Sequence, residues 1–194
     1  MLTLYFSPGS SAMATHIALH EVGVPFERKL VSLSDKAQFM PEYRAINPEA
    51  KVPALAIDGR VLTEVAGTLY YLAKRYPEAR LWPEGGLEDE AQAISWMSFI
   101  ASTIHPARRA GDQRWKEAFL LAEERLGGRE WTVGGRYSIA DIHLFRLFWR
   151  FVDALGPMPK EYPGLTAHYD RMMQRPAVKK TIEVESGIGY NLPR

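Results

Sequence analysis

Two adjacent hydroxyls, Ser10 and Ser11, stand between the turn Ser7-Pro8-Gly9 and a helix-forming stretch. A helix N-terminus carries unpaired backbone N–H groups and the positive end of the peptide dipole. Hydroxyls placed there can stabilise an anion, a thiolate included. They are also ordinary helix caps, and on this stretch alone both readings stand. Lys51-Val52-Pro53-Ala54 is a second candidate, because a proline entering a strand has no N–H for the ladder. A cis bond there would present the backbone of Val52 to a ligand. Glu64 is a third: a carboxylate at a helix start complements the dipole or faces a cationic amine.

The histidines divide. His105 stands alone on a helical stretch, where such residues serve either packing or chemistry. His16 and His20 are four apart on one helix face, but Ile17 stands where a zinc-hydrolase motif needs Glu, so no metal is expected. Arg108, Arg109, Arg114 and Lys116 read as a solvated basic face that can also draw acidic electrophiles. Phe148, Trp149 and Phe151 have core-like spacing, with lining of a pocket as the alternative.

The elements that must position these residues change character along the chain. Residues 2–6 form a short β-branched and aromatic run, followed by a helix over 12–22 that stops at Gly23. A strand over 26–31 and a helix over 38–46 come next, the latter closed by Asn47–Pro48. Asp58–Gly59 between 52–57 and 60–62 is a hairpin signal, and a helix follows over 64–76. The order β-α-β-α-β-β-α implies a parallel pair with an antiparallel edge. Residues 77–89, rich in Pro and Gly, read as a linker. Beyond it only helical patterns occur, over 91–104, 115–126, 142–155, 165–174 and 177–185. Ser138-Ile-Ala-Asp141 has the form of a capping box ahead of the third of these. The pattern is an α/β segment followed by an all-helical one.

Composition narrows the function classes. Among 194 residues, 24 Lys and Arg balance 23 Asp and Glu, which gives no reason to expect nucleic acid or an anionic membrane as partner. No apolar run is long enough to span a bilayer, and the N-terminus lacks a signal-peptide pattern, so a cytoplasmic location is expected. With no cysteine in the chain, disulfides and thiolate metal sites are excluded, as is a dithiol redox pair. Neither GxGxxG nor GxxxxGK[ST] is present, which removes a nucleotide-dependent oxidoreductase from consideration.

Tyr5-Phe-Ser-Pro-Gly-Ser-Ser11, Asn47-Pro-Glu-Ala-Lys-Val-Pro-Ala-Leu55 and Leu62-Thr-Glu64 resemble the thioredoxin-like half of cytosolic glutathione transferases, especially the bacterial beta class. Trp96-Met-Ser-Phe99 through His105, Tyr137-Ser-Ile-Ala-Asp141 and Gln174-Arg-Pro-Ala-Val178 are similar to its helical half. The resemblance runs in order over nearly the whole chain. It implies a thioredoxin-like βαβαββα domain at 1–79, a linker at 80–89 and a helical domain at 90–194 contributing an electrophile pocket. Beta-class enzymes commonly carry a cysteine in the first turn, and that position falls on Ser11, with Ser10 a close competitor. Pro53 would be the family's cis-proline, and Val52 would pair its backbone with the cysteinyl part of glutathione. Glu64 would face the γ-glutamyl amine, while Lys36 would approach the glycyl carboxylate. His105 would lie near the sulfur. Tyr5 and Lys51 fall among the glutathione-binding positions, and Ser138 and Asp141 match a folding motif.

The resemblance thus implies an enzyme of detoxification, a homodimer, with glutathione as co-substrate and no resident cofactor or metal. It would conjugate a small hydrophobic electrophile or reduce a peroxide. One departure is Val65, where the family usually has a hydroxyl residue or glycine to receive the γ-glutamyl carboxylate. A charge-assisted hydrogen bond is worth roughly 1.5–3 kcal/mol, so its loss weakens binding unless the N–H groups of residues 65 and 66, or Lys51, compensate. The rival reading is a catalytically weak or inactive binding or regulatory protein that kept the fold.

Overall fold

The computed structural model describes residues 1–156 and 160–190. Its contacts divide the chain into two compact units, one formed by Met1–Ala79 with the C-terminal segment from Pro176 onward, the other by Arg80–Arg175. The final helix therefore belongs with the α/β segment and not with the helices that precede it, a departure from the expected helical segment 90–194.

The first unit is built on a four-stranded sheet of order β2-β1-β3-β4. Strand β1 (Leu2–Phe6) runs parallel to β2 (Phe26–Leu30), Leu2 opposite Phe26. It runs antiparallel to β3 (Ala54–Ile57), which pairs in turn with β4 (Arg60–Thr63). The hairpin between β3 and β4 turns on Asp58 and Gly59, with φ of 47° and 86°, two successive positive values that suit the twist of the strands. Helix α1 (Ala12–Val22) ends at Gly23, whose φ of 71° closes it in the left-handed region. Helix α3 (Val65–Arg75) packs against α1, and Leu4, Met13, Ile17, Leu55, Leu69 and Leu72 are fully buried between sheet and helices.

Residues 38–46 do not form the expected single helix. A 3₁₀ turn, Ala37–Phe39, is followed by the one-turn helix α2 (Pro41–Arg44). Pro41 pushes Met40 to an extended conformation (φ −65°, ψ 144°) and supplies no N–H to continue the turn.

The second unit is helical. Helix α4 (Leu87–Phe99) starts inside the expected linker, with Glu88, Asp89 and Glu90 in its first turn where the dipole favours them. The preceding stretch is also tied to this unit: Ile139 donates its N–H to Leu81 carbonyl at 2.9 Å, and Arg80 and Arg136 both pair with Glu84. After α4 the chain makes a π turn, Ile100–Ile104, a short helix α5 (His105–Ala107), and the longer α6 (Asp112–Leu126), α7 (Ile139–Leu155) and α8 (Pro163–Gln174). Phe148 and Phe151 are core residues: the Phe151 ring lies 4.5 Å from Phe119 and 5.1 Å from Trp115. Trp149 is buried as well. Among the described residues no helix is long and apolar enough to cross a membrane.

The Ser138–Asp141 pair forms the capping box that its sequence form suggested. Ser138 Oγ accepts the Ala140 N–H, and Asp141 Oδ2 accepts the Ser138 N–H at 2.8 Å. The other carboxylate oxygen takes the Thr132 N–H at 2.8 Å and lies 3.1 Å from His168 Nε2. One fully buried anion thus joins the start of α7, the loop before it and α8. Asp141→Ala leaves those donors buried and unpaired, and we expect about 3–5 kcal/mol of lost stability in denaturant unfolding. A loss below about 1 kcal/mol would show that the carboxylate is not the anchor of this unit.

Candidate functional site

The turn from β1 to α1 separates the two hydroxyls. Ser10 is buried, and its Oγ accepts the Ala12 N–H at 3.2 Å. Ser11 already has helical φ and ψ (−56°, −23°), is half-exposed, and makes no cap hydrogen bond through its side chain. Ser10 is therefore the residue that caps α1 physically, and Ser11 is the hydroxyl left at the surface of the first turn. The turn itself is held tightly. Ser10 donates its N–H to Ser7 carbonyl at 3.1 Å, and Gly9, at φ 69°, donates its N–H to Glu185 Oε2 at 2.7 Å.

The second cluster lies at the same end of the sheet, beside the close of β1. Tyr5 in β1 is opposite Ala54 in β3, and its ring centroid is 5.9 Å from that of Tyr43. The Val52–Pro53 bond is cis. The carbonyl just before it, on Lys51, accepts both Tyr43 Oη–H at 2.5 Å and Asn47 Nδ2–H at 2.9 Å. Burial pushes the Tyr43 hydroxyl up to about 12, so it remains a donor across the working pH range. Lys51 Nζ lies 3.0 Å from Glu49 Oε2 and 3.8 Å from Glu64 Oε1, all three side chains being exposed. Lys36 is exposed on the turn ahead of α2, with φ 59°.

Glu64 has the geometry of a clamp. It precedes α3 with φ 62° and ψ 132°, a conformation that costs a non-glycine residue of order 1–3 kcal/mol and concentrates at functional positions. Its carbonyl nevertheless accepts the Thr68 N–H at 3.0 Å, so the strain holds the carboxylate at the helix entrance without breaking the first turn. Val65 is buried, and its carbonyl accepts the Thr68 hydroxyl, which also bonds Thr15 at 2.7 Å. Val65 thus presents a buried apolar side chain and no hydroxyl here, and the groups that the first turn of α3 offers a ligand are backbone N–H groups.

In the helical unit, His105 is exposed and follows the π turn, its N–H donating to Ile100 carbonyl. Wide turns of this kind are frequent at functional sites. His143 on α7 is buried and electrostatically coupled to it. Burial, with His105 and Arg146 nearby, pulls the His143 imidazole down to about 3. Arg108 lies over the Trp115 ring at 5.7 Å, and Arg114 pairs with Glu117 at 3.1 Å, so these two members of the basic cluster are engaged.

Against this geometry, known proteins are informative. The family models described as glutathione S-transferase N-terminal domain and C-terminal domain match residues 9–75 and 95–176. The chain belongs to the glutathione S-transferase family. GstA of Escherichia coli O157:H7 is 29% identical, with 95% of this chain and 98% of that protein covered. A solved beta-class glutathione S-transferase of Sphingomonas chungbukensis is 32% identical at a TM-score of 0.84, covering 94% of this chain and 98% of that one. A sphingomonad glutathione S-transferase complexed with glutathione matches at 32% identity and TM-score 0.85, covering 95% and 98%. The thioredoxin-like unit and the helical unit are those of this enzyme family, and the beta-class resemblance read from the sequence stands.

Sequence reasoning missed Tyr43, Asn47, His143 and Glu185. Asn47 was legible only as a helix stop, and no local pattern marks the other three. His143 generates a pH test. It favours the neutral form in the folded state, whereas the unfolded chain takes up the proton near its ordinary value of 6.5. Stability is then full above 6.5 and is lost as pH falls toward 3, by up to ~1.4 kcal/mol per pH unit for one proton. His143→Gln should flatten the fall in melting temperature over this window; an unchanged slope would remove His143 as its source.

Proposed function

We propose that the protein binds glutathione on the thioredoxin-like unit and that Ser11 stabilises its thiolate for attack on a small hydrophobic electrophile or a peroxide. The observation that carries this reading is the division of labour in the turn: Ser10 Oγ is engaged as the cap of α1, while the half-exposed Ser11 makes no such bond. A thiol with a pKa near ~8.5 is only about 3% thiolate at pH 7. Serine is far too weak an acid to act as base, but its O–H can donate to a thiolate, and the helix dipole adds to that stabilisation. A two-unit depression corresponds to roughly 2.7 kcal/mol, within reach of these two effects together.

The remaining residues take roles that their surroundings support. Val52, two residues before the first paired residue of β3, offers its backbone to the cysteinyl moiety beside Pro53. Glu64, with Lys51 beside it, receives the γ-glutamyl end, and the N–H groups of residues 65 and 66 receive its carboxylate. Tyr5 flanks the tripeptide and Lys36 meets the glycyl carboxylate. His105, after its π turn, serves the electrophile side. A homodimer in the cytoplasm that acts in detoxification, with no metal or resident cofactor, completes this reading and follows from the family resemblance. The burial of Val65 favours a second reading, a binding protein with little catalysis. Glutathione-affinity retention without conjugation or peroxidase activity would select it.

Ultraviolet titration of bound glutathione tests the role of the turn. Ser11→Ala should raise the thiol pKa toward its free value, while Ser10→Ala should leave it in place and cost about 1 kcal/mol of stability. An unchanged thiol pKa in Ser11→Ala would sink the assignment. Glu64→Gly should relieve the backbone strain, stabilising the fold by about 1 kcal/mol, yet weaken glutathione binding in calorimetry. A variant that is both more stable and equally tight would remove Glu64 from the site.

A further inference from the structure

Glu185 is the least expected group near the turn. It lies on the last helix, α9 (Pro176–Ile188), 176 residues from Gly9, and its side chain is completely buried. One carboxylate oxygen accepts the Gly9 N–H at 2.7 Å and the other lies 2.8 Å from Nδ1 of His16 on α1. His16 is equally buried, enclosed by Phe6 at 5.3 Å and Phe26 at 5.7 Å and stacked on His20 at 4.9 Å. Burial, with His16 close by, pulls the His20 imidazole down to about 4, so His20 adds no positive charge to the cluster near neutral pH. The carboxylate therefore spends its two oxygens on one backbone N–H of the Ser7–Ser11 turn and on the helix that the turn starts.

We infer that Glu185 is a positioning residue for the sulfur-binding turn: it fixes the Gly9 peptide, and through it the direction of the Ser11 hydroxyl. The physical reason is that Gly9 sits at positive φ with no side chain to restrain it, the freest backbone position in the turn. A short charge-assisted bond from a rigid helix removes that freedom. Aim matters because a misplacement of about 1 Å in a reacting group can lower rates by about a hundredfold. The carboxylate acts here through geometry and not as a charge, since a negative group beside the site would oppose thiolate formation. This inference rests on the reading that Ser11 meets the glutathione sulfur.

The discriminating variants are Glu185→Ala, which removes both bonds, and Glu185→Gln. An amide can accept from the Gly9 N–H and donate to His16 Nδ1 once the imidazole carries its proton on Nε2, preserving both contacts without the charge. In Glu185→Ala the Gly9 amide should lose its hydrogen-exchange protection, the bound glutathione thiol pKa should rise by about one unit, a tenfold loss of thiolate, and kcat/KM should fall by about ten- to a hundredfold. Glu185→Gln should recover most of each. If Glu185→Ala does not fold, Glu185→Asp decides in its place, because the shortened carboxylate is withdrawn from Gly9 and should raise the thiol pKa in the same direction. A variant with lowered melting temperature but a wild-type thiol pKa would reduce Glu185 to a structural residue, while the Ser11 assignment stands on its own titration. Equal losses in Glu185→Gln and Glu185→Ala would show that charge, and not aim, is what matters. An unaltered protein that fails to bind glutathione overturns both readings.

Discussion

Backbone N–H groups in the turn before a helix and in its first turn have no partner within that helix, and the turn from β1 to α1 shows how this chain meets that constraint. Ser7 carbonyl takes the N–H of Ser10, Ser10 Oγ takes that of Ala12, and Glu185 takes that of Gly9. Each acceptor comes from a different source: the strand end, the turn itself and the C-terminal helix. Their combined effect is to leave Ser11 at the surface with its side chain outside the capping scheme. The candidate site is thus a remainder, the hydroxyl not consumed in satisfying the fold.

The same logic operates in the neighbouring cluster ahead of β3 and α3. Lys51 carbonyl takes two side-chain donors, Tyr43 and Asn47, which fixes the approach to Val52 and Pro53 from behind. Glu64 bears a strained backbone while its carbonyl completes the first turn of α3, and the Val65 side chain is buried. Side chains that would be expected to hold a ligand are here divided between ligand and fold. What remains for the ligand is mostly main chain, which is the less costly donor to keep oriented, since it carries no rotamer entropy.

How legible was this in the sequence? The elements of the first unit were readable almost residue by residue, because strands and helices there are short and bounded by Gly, Pro and Asp-Gly signals. The failure over residues 38–46 came from carrying one helix through Pro41 to the stop at Asn47–Pro48, where the proline's geometry prevails. Helix α4 began early because its acidic first turn, set against the helix dipole, lies within a Pro- and Gly-rich stretch that reads as linker. Ser10 and Ser11 could be named but not told apart, since distinguishing a cap from a surface hydroxyl requires the φ and ψ of Ser11. The family and fold were legible from ordered motifs. Glu185 was not, because nothing local marks a residue whose partners are Gly9 and His16 at the other end of the chain.

The position of Glu185 also bears on why α9 groups with the thioredoxin-like unit. Burying a carboxylate costs several kcal/mol in desolvation, and two hydrogen bonds offset that cost without a clear surplus. Replacing such a group by a well-packed apolar residue is often neutral or stabilising, so thermodynamic stability alone gives little reason for an anion there. Helix α9 packs on α1, and it already buries Ala177, Val178 and Thr181. What an apolar residue cannot do is choose the orientation of the Gly9 peptide, because dispersion contacts have no preferred direction and a carboxylate lone pair does. The cost of the buried charge is therefore best understood as the cost of direction in the turn from β1 to α1.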